Sequence, residues 1–279
     1  MSNDQPTDLD IPEFEREDLL NAMEQAIDES AFEDVLILSE LLLGRDPDDA
    51  DALVLRGEAL SACGEFEEAL AHYERAQTLV PDWKDGTLAR IGLLLEMARL
   101  DDANALTDAL LQETPDRAEV HRARAIGWEL AGNELGAERH YRRAQELDPT
   151  FPTPYRVSEA TFRRLVRHSL ASFPAEFTPA LETVDIRIQG VPDAEQTNAP
   201  TKPTSMLVLG YFDGPLQSPP LSEQSARDAP THIYLFKKNF ERICRNQVEL
   251  SDQIARTLRH EWAHYMGLDV TEFEEIDSN

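Results

Sequence analysis

The first half of the sequence repeats itself with a period of 34 residues. Prolines recur at that spacing, at Pro47, Pro81, Pro115 and Pro149. Twelve residues before each proline stands a small or β-branched aliphatic residue: Val35, Ala69, Ala103 and Ala137. Proline lacks the amide hydrogen that a continuing helix needs and clashes with the preceding turn, so each one ends a helix. The period therefore predicts four stacked pairs of helices over residues 16–150, preceded by a disordered acidic lead over residues 1–15.

The second repeat unit, Ala50–Trp83, shows the pattern of each pair most clearly. Small residues such as Gly57 and Ala69 let two helices approach closely, while Leu60 and Tyr73 fill the groove between them. This pattern resembles the tetratricopeptide repeat (TPR) family, and the resemblance covers about residues 16–150. It implies an all-α superhelix of about four repeats that binds a peptide or protein segment, so we expect a protein partner whose identity the sequence does not give.

The repeats do not point to individual binding residues. The first and third units depart from the pattern, with Ile91 in the position of Gly57 and Thr107 in the position of Tyr73. Four arginines lie on the predicted first helices: Arg56, Arg90, Arg122 and Arg124. They could hold a carboxylate of the partner, or they could form the solvated face that arginines on helices usually form. No site residue is assigned within the repeats.

Charge is distributed very unevenly along the chain. The net charge is −28, and residues 1–150 account for −23 of it, with 36 acidic and 13 basic residues. Such an acidic surface repels nucleic acid and anionic membranes, and it favours basic partners or serves solubility alone. We therefore expect neither a nucleic-acid partner nor a membrane partner.

The sequence shows no recognisable targeting signal and few cysteines, and we therefore expect a cytoplasmic protein. No run of about 20 apolar residues occurs, as a membrane span would need. The N-terminus has neither the basic start nor the apolar centre of a secretory signal. The two cysteines, Cys63 and Cys244, fall in different predicted domains and are expected to be buried or free thiols in a reducing compartment.

The second half of the chain, residues 151–279, has a mixed pattern that begins after the proline-rich TFPTPY at residues 150–155. Periodicity predicts a helix over Ser158–Ser172, strands over Thr183–Gln189, Met206–Phe212 and Thr231–Phe236, and a short helix over Asn239–Arg245. A long last helix follows, capped by Ser251 and ended by Gly267. Its core side is predicted to be Ile254, Leu258 and Trp262, with His260 and His264 facing the strands.

The last helix contains the motif HExxH at His260, Glu261 and His264. Residues four apart lie one above the other on a helix, so both histidines can direct a ring nitrogen at one metal ion. Glu261, rotated by about 100° around the helix, can reach a water molecule beside that ion. Two histidines, a carboxylate base and a third ligand from elsewhere form the metal site of the zincins.

Residues 160–276 resemble a family of minimal zincin-like metallopeptidases found mostly in bacteria. The resemblance is carried by TFRRLVRHSLASFPAEF, MLVLGYFDGPLQSP with GYFDGPL at Gly210–Leu216, THIYLFKKNFERIC and TLRHEWAHYMGLD. It implies a small α+β domain with an active-site helix and with Zn2+ as its cofactor. It also implies that His260 and His264 are zinc ligands and that Glu261 is the general base and proton shuttle.

The third metal ligand is expected just after the motif, where several carboxylates compete. Related patterns place this ligand at the position of Val270, and valine cannot bind a metal. Asp269, one residue earlier, is our choice, and Glu272 is the runner-up. Glu274 and Glu275 follow. The alternative role for Asp269 is that of a capping or solvated turn residue.

The sequence therefore predicts a zinc-dependent peptidase whose TPR array recruits the protein substrate or an adaptor. The alternative is a TPR interaction scaffold whose zincin-like domain is catalytically weak or inactive, since the ligand at Val270 is missing. A non-haem iron centre, also built from two histidines and a carboxylate, is a more remote option.

Two further roles stay open at this point. A tyrosine hydroxyl, from Tyr211, Tyr234 or Tyr265, could stabilise the oxyanion, although packing in the core or at its rim is the more common role. An added strand of substrate could pair with Met206–Phe212 or with Thr231–Phe236.

Overall fold

The computed structural model describes residues 15–173, 181, 184–193, 205–214 and 231–266. Eight helices come first in this part of the chain: α1 (Arg16–Asp28), α2 (Phe32–Arg45), α3 (Ala50–Ala62), α4 (Phe66–Leu79), α5 (Lys84–Glu96), α6 (Leu100–Glu113), α7 (Ala118–Leu130) and α8 (Glu134–Leu147). The first helices of the pairs begin at residues 16, 50, 84 and 118 and the second helices at residues 32, 66, 100 and 134, so the 34-residue period is confirmed. The predicted lead over residues 1–15 lies outside the described residues except for Glu15.

A mixed α+β region follows the repeats. Its described elements are α9 (Glu159–Ala171), β1 (Asp185–Gln189), β2 (Gly210–Asp213), β3 (His232–Phe236), α10 (Lys237–Ile243) and α11 (Gln247–Met266). The predicted fold class, helical repeats followed by a small α+β region, is confirmed. Cys63 is exposed, Cys244 is buried, and both are free, as expected. None of the helices described has the length and apolar character needed to cross a membrane.

Contacts between residues divide the chain into two compact units, Met1–Leu93 (unit 1) and Leu94–Asn279 (unit 2). Unit 2 holds the end of α5, all of α6, α7 and α8, and the α+β region. The fourth repeat therefore shares a compact unit with the α+β region. The limits 16–150 and 151–279, which were drawn from the two sequence patterns, stay a prediction.

The turn inside each helix pair uses a left-handed residue in the same register. Ser30, Gly64, Ala98 and Gly132 have φ values of 58°, 83°, 59° and 79°. Glycine adopts this conformation readily, whereas a residue with a Cβ carries a steric penalty of roughly 1–2 kcal/mol. The second and fourth repeats have the favourable glycine, which matches the clearer repeat pattern of those two units.

Contacts within and between repeats use the residues that stand out in the sequence. Gly57 on α3 faces Tyr73 on α4, and a Cβ added to Gly57 would lie 2.8 Å from the Tyr73 ring. Three first-helix arginines donate to the second helix of the preceding repeat: Arg56 to Ser39, Arg90 to Gln77 and Arg124 to Asn104. These three arginines join neighbouring repeats, so their expected role as a solvated face is wrong.

A pair of histidines joins α7 to α8, the two helices of the fourth repeat. His121 Nδ1 lies 2.8 Å from His140 Nδ1, and His121 Nε2 lies 2.9 Å from the carbonyl oxygen of Pro115. Two neutral rings satisfy both contacts if His121 donates through Nε2 and accepts through Nδ1 from His140. Burial, followed by the nearby His121, lowers the pKa of His140 from its ordinary 6.5 to about 4.

We expect His140 to make the unfolding free energy of unit 2 fall as the pH falls from 6.5 towards 4. The folded protein keeps this imidazole neutral, whereas the unfolded chain protonates it near pH 6.5, so the added proton favours unfolding. The titratable and charged groups facing it are His121, Arg124, Arg139 and Asp108, and only the last favours protonation. Replacing His140 with glutamine should reduce the loss between pH 7 and 4.5 by roughly 1–2 kcal/mol in urea denaturation. An unchanged pH dependence would contradict this expectation.

The three described strands form one sheet in the order β1-β3-β2. β3 pairs in parallel with β1 and antiparallel with β2, so it is the central strand. Ile233 and Leu235, on one face, belong to the core that includes residues of α9 and α11. Tyr234 and Phe236, on the other face, pack with Tyr211. Both faces of β3 are therefore buried, and the sheet supports α11 from one side.

The strand predicted over Met206–Phe212 is wrong for its first four residues, because β2 begins at Gly210. Asn239 Nδ2 donates to the carbonyl oxygens of Met206 and Val208, which a strand would have offered to its neighbour. The other two strands and α9 lie within their predicted ranges and begin one or two residues later than predicted, and Thr183 lies outside the described residues. The short helix begins two residues earlier than predicted and follows β3 directly.

The start of the last helix is also wrong, because α11 begins at Gln247 and not at Ser251. Asn246 Oδ1 accepts hydrogen bonds from the N–H groups of Val248, at 2.9 Å, and of Glu249, at 3.0 Å. The asparagine therefore satisfies first-turn amides of α11, as an N-cap residue does. Ser251 lies one turn inside the helix.

Candidate functional site

Helix α11 carries the HExxH motif, and a wide apolar stripe sets its orientation. Ile254, Leu258 and Trp262 were predicted to face the core. They are 0 %, 1 % and 0 % exposed, which confirms that prediction. They belong to the core that α11 shares with α9 and the sheet. His260 and His264 are exposed, so the prediction that they face the strands is wrong. The motif residue that faces β2 is Glu261.

The two histidine rings of the motif converge on one point. His260 Nε2 and His264 Nε2 lie 3.0 Å apart, with the ring planes at 90° to each other. The His260 side chain is exposed overall, but partial burial of its ring, together with the neighbouring His264, lowers its pKa, which favours the neutral form that binds metals. Two imidazole nitrogens on one tetrahedral zinc ion stand about 3.3 Å apart, given Zn–N distances of about 2.0–2.1 Å. The observed spacing therefore fits a shared metal ion after a small adjustment of the rings.

Glu261 points from the same helix into the protein. It is 7 % exposed, and the backbone N–H of Phe212 on β2 donates to its carboxylate. Burial raises the pKa of Glu261 to about 7, and the hydrogen bond from Phe212 acts in the opposite direction. A carboxylate with a pKa near neutrality can take up and release a proton at neutral pH, as a general base must. A cation held by the histidines would lower this pKa.

The histidines supply two of the three protein ligands that a catalytic zinc site needs. Within the described ranges, no group of three His, Cys, Asp or Glu side chains is placed to hold a metal ion. The predicted third ligand and its alternatives lie outside the described residues, as does Gly267: Asp269, Glu272, Glu274 and Glu275. His260 and His264 therefore fit a zinc site as two of its three protein ligands, and the third ligand stays a prediction.

The three tyrosines considered for the oxyanion are buried in packing contacts. Tyr211 and Tyr234 are directly opposite each other on β2 and β3, and their rings stack at 4.8 Å. Arg187 Nη1 donates to the Tyr234 hydroxyl at 3.0 Å. Tyr265 packs against Phe212. These contacts favour the packing role for all three.

The two strands considered for substrate binding occupy different positions in the sheet. β3, which was predicted as Thr231–Phe236, is paired on both sides and has no edge to offer. β2 lies at the edge of the described sheet. It is therefore the better candidate of the two.

Sequence reasoning missed a group of polar side chains, most of them charged and buried, that joins the fourth repeat to the α+β region. Glu129 on α7 is 2 % exposed and accepts from the Tyr141 hydroxyl and from Arg242 Nη2, each at 3.0 Å. Arg156, between α8 and α9, pairs with Glu129 and with Glu241, which is 1 % exposed. We call these five residues the junction cluster. No local pattern distinguishes them from the solvated charges of neighbouring helices.

Comparison with known protein families gives two matches. Residues 50–83 match the tetratricopeptide repeat, and residues 181–279 match the zincin-like metallopeptidase. The chain carries a TPR repeat and a zincin-like metallopeptidase domain. The matched range of the metallopeptidase domain includes all three strands, α10 and α11, and thus the HExxH motif. No curated protein matches the chain significantly.

Several solved structures are similar to the chain. MamA from Desulfovibrio magneticus RS-1 is 17 % identical with a TM-score of 0.42, and the match covers 47 % of this chain and 74 % of that one. A thermophilic TPR protein from Thermus thermophilus is 20 % identical with a TM-score of 0.45, over 48 % and 75 % of the two chains. A tetratricopeptide repeat protein from Parabacteroides merdae is 20 % identical with a TM-score of 0.43, over 47 % and 51 %. At these identities and TM-scores, the similarity carries no information about partners or activity.

Proposed function

We propose that this protein is a zinc-dependent peptidase whose TPR repeats recruit the protein substrate or an adaptor protein. The observation that carries the proposal is the convergence of His260 Nε2 and His264 Nε2, 3.0 Å apart, on the helix that also holds the buried Glu261. The zincin-like match over residues 181–279 supports the same activity. In this proposal the zinc ligands are His260, His264 and Asp269, with Glu272 as the alternative third ligand.

Each residue of the site supplies one part of peptide hydrolysis in this proposal. Zinc supplies Lewis-acid activation of water and of the peptide carbonyl when it is bound. Glu261 accepts the proton that the attacking water loses and passes it to the leaving amine nitrogen. The N–H of Phe212 orients the Glu261 carboxylate, and burial raises its affinity for the proton that the water loses. β2 offers main-chain groups at the sheet edge to an extended substrate.

The partner proposed for the TPR repeats is a basic segment of a protein. Residues 1–150 carry a net charge of −23, which attracts basic chains and repels acidic ones. Binding of such a segment should weaken as the salt concentration rises, because exposed charges separated by more than about 10 Å are screened at 0.1 M ionic strength.

Replacing His264 with alanine is expected to remove zinc from the purified protein. The wild-type chain should hold about one zinc ion, measured by inductively coupled plasma mass spectrometry. The variant loses one of two converging imidazoles, so its zinc content should fall to the background level. His168→Ala is the matched control, since His168 is an exposed histidine on α9 in the same unit and should not affect zinc.

Peptide hydrolysis is measured in the same preparations with a library of peptides from digested cellular protein, analysed by mass spectrometry. Cleavage by the wild-type protein and by His168→Ala, but not by His264→Ala, supports the peptidase. Zinc at full occupancy with no cleaved peptide favours the alternative, a TPR scaffold with an inactive zincin-like domain. A wild-type protein that binds no zinc contradicts the proposal.

A further inference from the structure

The segment Ser205–Leu209 leads into β2. Its last residue is held by the sheet, since the Phe236 N–H of β3 donates to the Leu209 carbonyl oxygen at 2.8 Å, while residues outside the sheet hold Ser205, Met206 and Val208. Ser205 Oγ donates to Glu96 Oε2 at 3.0 Å, and the Met206 N–H donates to the Glu96 carbonyl oxygen at 2.9 Å. Asn239 Nδ2 donates to the carbonyl oxygens of Met206, at 3.0 Å, and of Val208, at 2.6 Å. Glu96 is the last residue of α5, the first helix of the third repeat. The third repeat and α10 therefore fix the approach to β2 together.

Asn239 is itself oriented by the fourth repeat. Arg242 Nη2 donates to Asn239 Oδ1 and to Glu129 Oε2, each at 3.0 Å, and Arg242 Nε donates to the same Glu129 oxygen at 3.2 Å. Asn239, Arg242 and Glu129 are 1 %, 6 % and 2 % exposed, so water has little access to replace these bonds. An amide whose oxygen accepts from an arginine must direct its NH2 group elsewhere, here to the two carbonyl oxygens before β2. Glu129 thus holds the arginine that donates to the Asn239 oxygen.

β2 has little freedom once its approach is fixed. A Cβ added to Gly210 would lie 2.6 Å from the carbonyl oxygen of Tyr234 on β3 and 3.1 Å from Thr257 Cγ2 on α11. The strand is therefore in close contact with both neighbours at this point. Two residues further on, the N–H of Phe212 donates to the carboxylate of Glu261. A displacement of Ser205–Leu209 would be passed along this short strand to the group that orients Glu261.

We propose that Glu96 and Glu129, both in the TPR repeats, are positioning residues of the peptidase site. They act through Ser205–Leu209 and Asn239 to place β2, and neither of them touches the substrate. This inference rests on the proposed function for the role of Glu261. It adds that the third and fourth repeats form part of the working site, in addition to recruiting a partner. The matched range of the metallopeptidase family, 181–279, includes neither glutamate.

The hydrogen-bond pattern favours a role of the repeats in positioning β2 over a role in only holding the metallopeptidase domain in place. Apolar burial alone could hold the fourth repeat against the metallopeptidase domain, but it would not select one orientation of Asn239. Glu96 instead bonds directly to the segment Ser205–Leu209, and Glu129 is linked to the same segment through Arg242 and Asn239. In a buried network each donor that loses its acceptor is left unsatisfied, so alternative arrangements are strongly disfavoured.

Hydrogen exchange and NMR of the full chain test this proposal in metal-free protein and without a substrate. Replacing Asn239 with alanine removes the NH2 group that donates to the carbonyl oxygens of Met206 and Val208, together with the oxygen that accepts from Arg242. The amides of residues 206–213 should then exchange at least about fivefold faster, since their local opening has lost two hydrogen bonds. The Phe212 amide proton should also shift in a spectrum of ¹⁵N-phenylalanine-labelled protein. The same resonance is identified by its shift in Glu261→Gln, which changes the acceptor directly.

Ser205 provides a second, milder variant that retains the buried junction cluster. Ser205→Ala removes the donor to Glu96 and the acceptor of the Leu207 N–H, and it should shift the Phe212 amide in the same direction as Asn239→Ala, by a smaller amount. Ser205→Thr keeps a hydroxyl at this position and should restore the wild-type resonance. If the repeats served only to stabilise the fold, Ser205→Ala would not shift the Phe212 amide, and Ser205→Thr would have no shift to reverse.

Asn133→Ala is the matched control, because Asn133 Oδ1 accepts from the Gly136 N–H at 3.1 Å and caps α8 in the same unit. It should leave the Phe212 amide and the exchange of residues 206–213 unchanged. The positioning role is overturned if Asn239→Ala and Ser205→Ala leave both readouts at wild-type values. It is also overturned if exchange accelerates equally throughout unit 2. A wild-type protein without zinc would contradict the proposed function alone, since both readouts are taken without metal.

Discussion

Replacing Glu261 with glutamine is expected to slow peptide hydrolysis by about 10²–10⁴-fold, the contribution typical of a positioned general base. Glutamine has nearly the same shape as glutamate, but its amide cannot accept the proton that the attacking water loses. The Phe212 N–H can still donate to the side-chain oxygen of glutamine, so β2 should remain in place. His260 and His264 are untouched, so the zinc content should equal that of the wild-type protein.

The measurement for Glu261→Gln is kcat and KM on a peptide that the wild-type protein cleaves. A group that acts in the transition state affects kcat, while KM changes little. Glu159→Gln is the matched control, because Glu159 pairs with Arg163 on the surface of α9 and its side chain is 65 % exposed. Retained activity in Glu261→Gln would remove Glu261 from the mechanism. Loss of zinc in this variant would instead identify Glu261 as a metal ligand.

The helical repeats could be predicted because their signal is local and occurs four times. Each proline, each small residue and each turn is read within a single pair of helices, and the common register corrects an ambiguous unit such as the third. Helix α9 was predictable for a similar reason. Ser158 accepts from the Thr161 N–H at its start, and Phe162, Leu165 and Val166 are buried along one face.

The spacing of HExxH predicted the convergence of His260 and His264, since four residues along a helix bring side chains together. The direction in which the pair faces was not predictable in the same way. It depends on which residues the helix buries after packing, and Thr257 and Glu261 are buried at 8 % and 7 % exposure in addition to the apolar residues. This wider buried stripe turns the two histidines to the exposed side and the carboxylate to β2.

The sequence contains a signal for the start of α11 that the prediction overlooked. Asn246 is followed three residues later by Glu249, the spacing of a capping box, and both side chains are engaged at the helix start. Ser251 has no acidic or amide partner at that spacing. The strand predicted at residues 206–209 had no such warning. Its apolar run favours a strand, and the contact that overrides this preference comes from Asn239, which is 33 residues away from Met206.

The buried carboxylate of Glu129 was beyond sequence reasoning. The chain has 54 acidic residues, and a single buried one has no local mark that separates it from the others. Its partners are also distant along the chain, with Arg156 27 residues and Arg242 113 residues away. Ion pairs of this kind are set by the tertiary fold and become visible only in the structure.

Replacing Glu129 with alanine is expected to lower the unfolding free energy of unit 2 by about 3–5 kcal/mol, the usual cost of breaking a buried ion pair by removing one partner. Arg242, 6 % exposed, keeps its charge but loses the carboxylate that compensates for its burial. Tyr141 and Arg156 lose the same acceptor. Glu134→Ala is the matched control. Glu134 lies in the same repeat and pairs with Lys238 on α10, but its side chain is 70 % exposed, so its removal should cost less than about 1 kcal/mol.

Urea denaturation followed by tryptophan fluorescence measures this difference. The chain has three tryptophans, of which Trp83 lies in unit 1 and Trp128 and Trp262 lie in unit 2. A Trp83→Phe background therefore makes the signal specific for unit 2. A large loss confined to Glu129→Ala would show that the fourth repeat and the metallopeptidase domain unfold together, with the effective boundary near Leu93. Equal losses in both variants would show that the junction cluster does not join them, and would favour the boundary at residue 150 that the sequence pattern predicts.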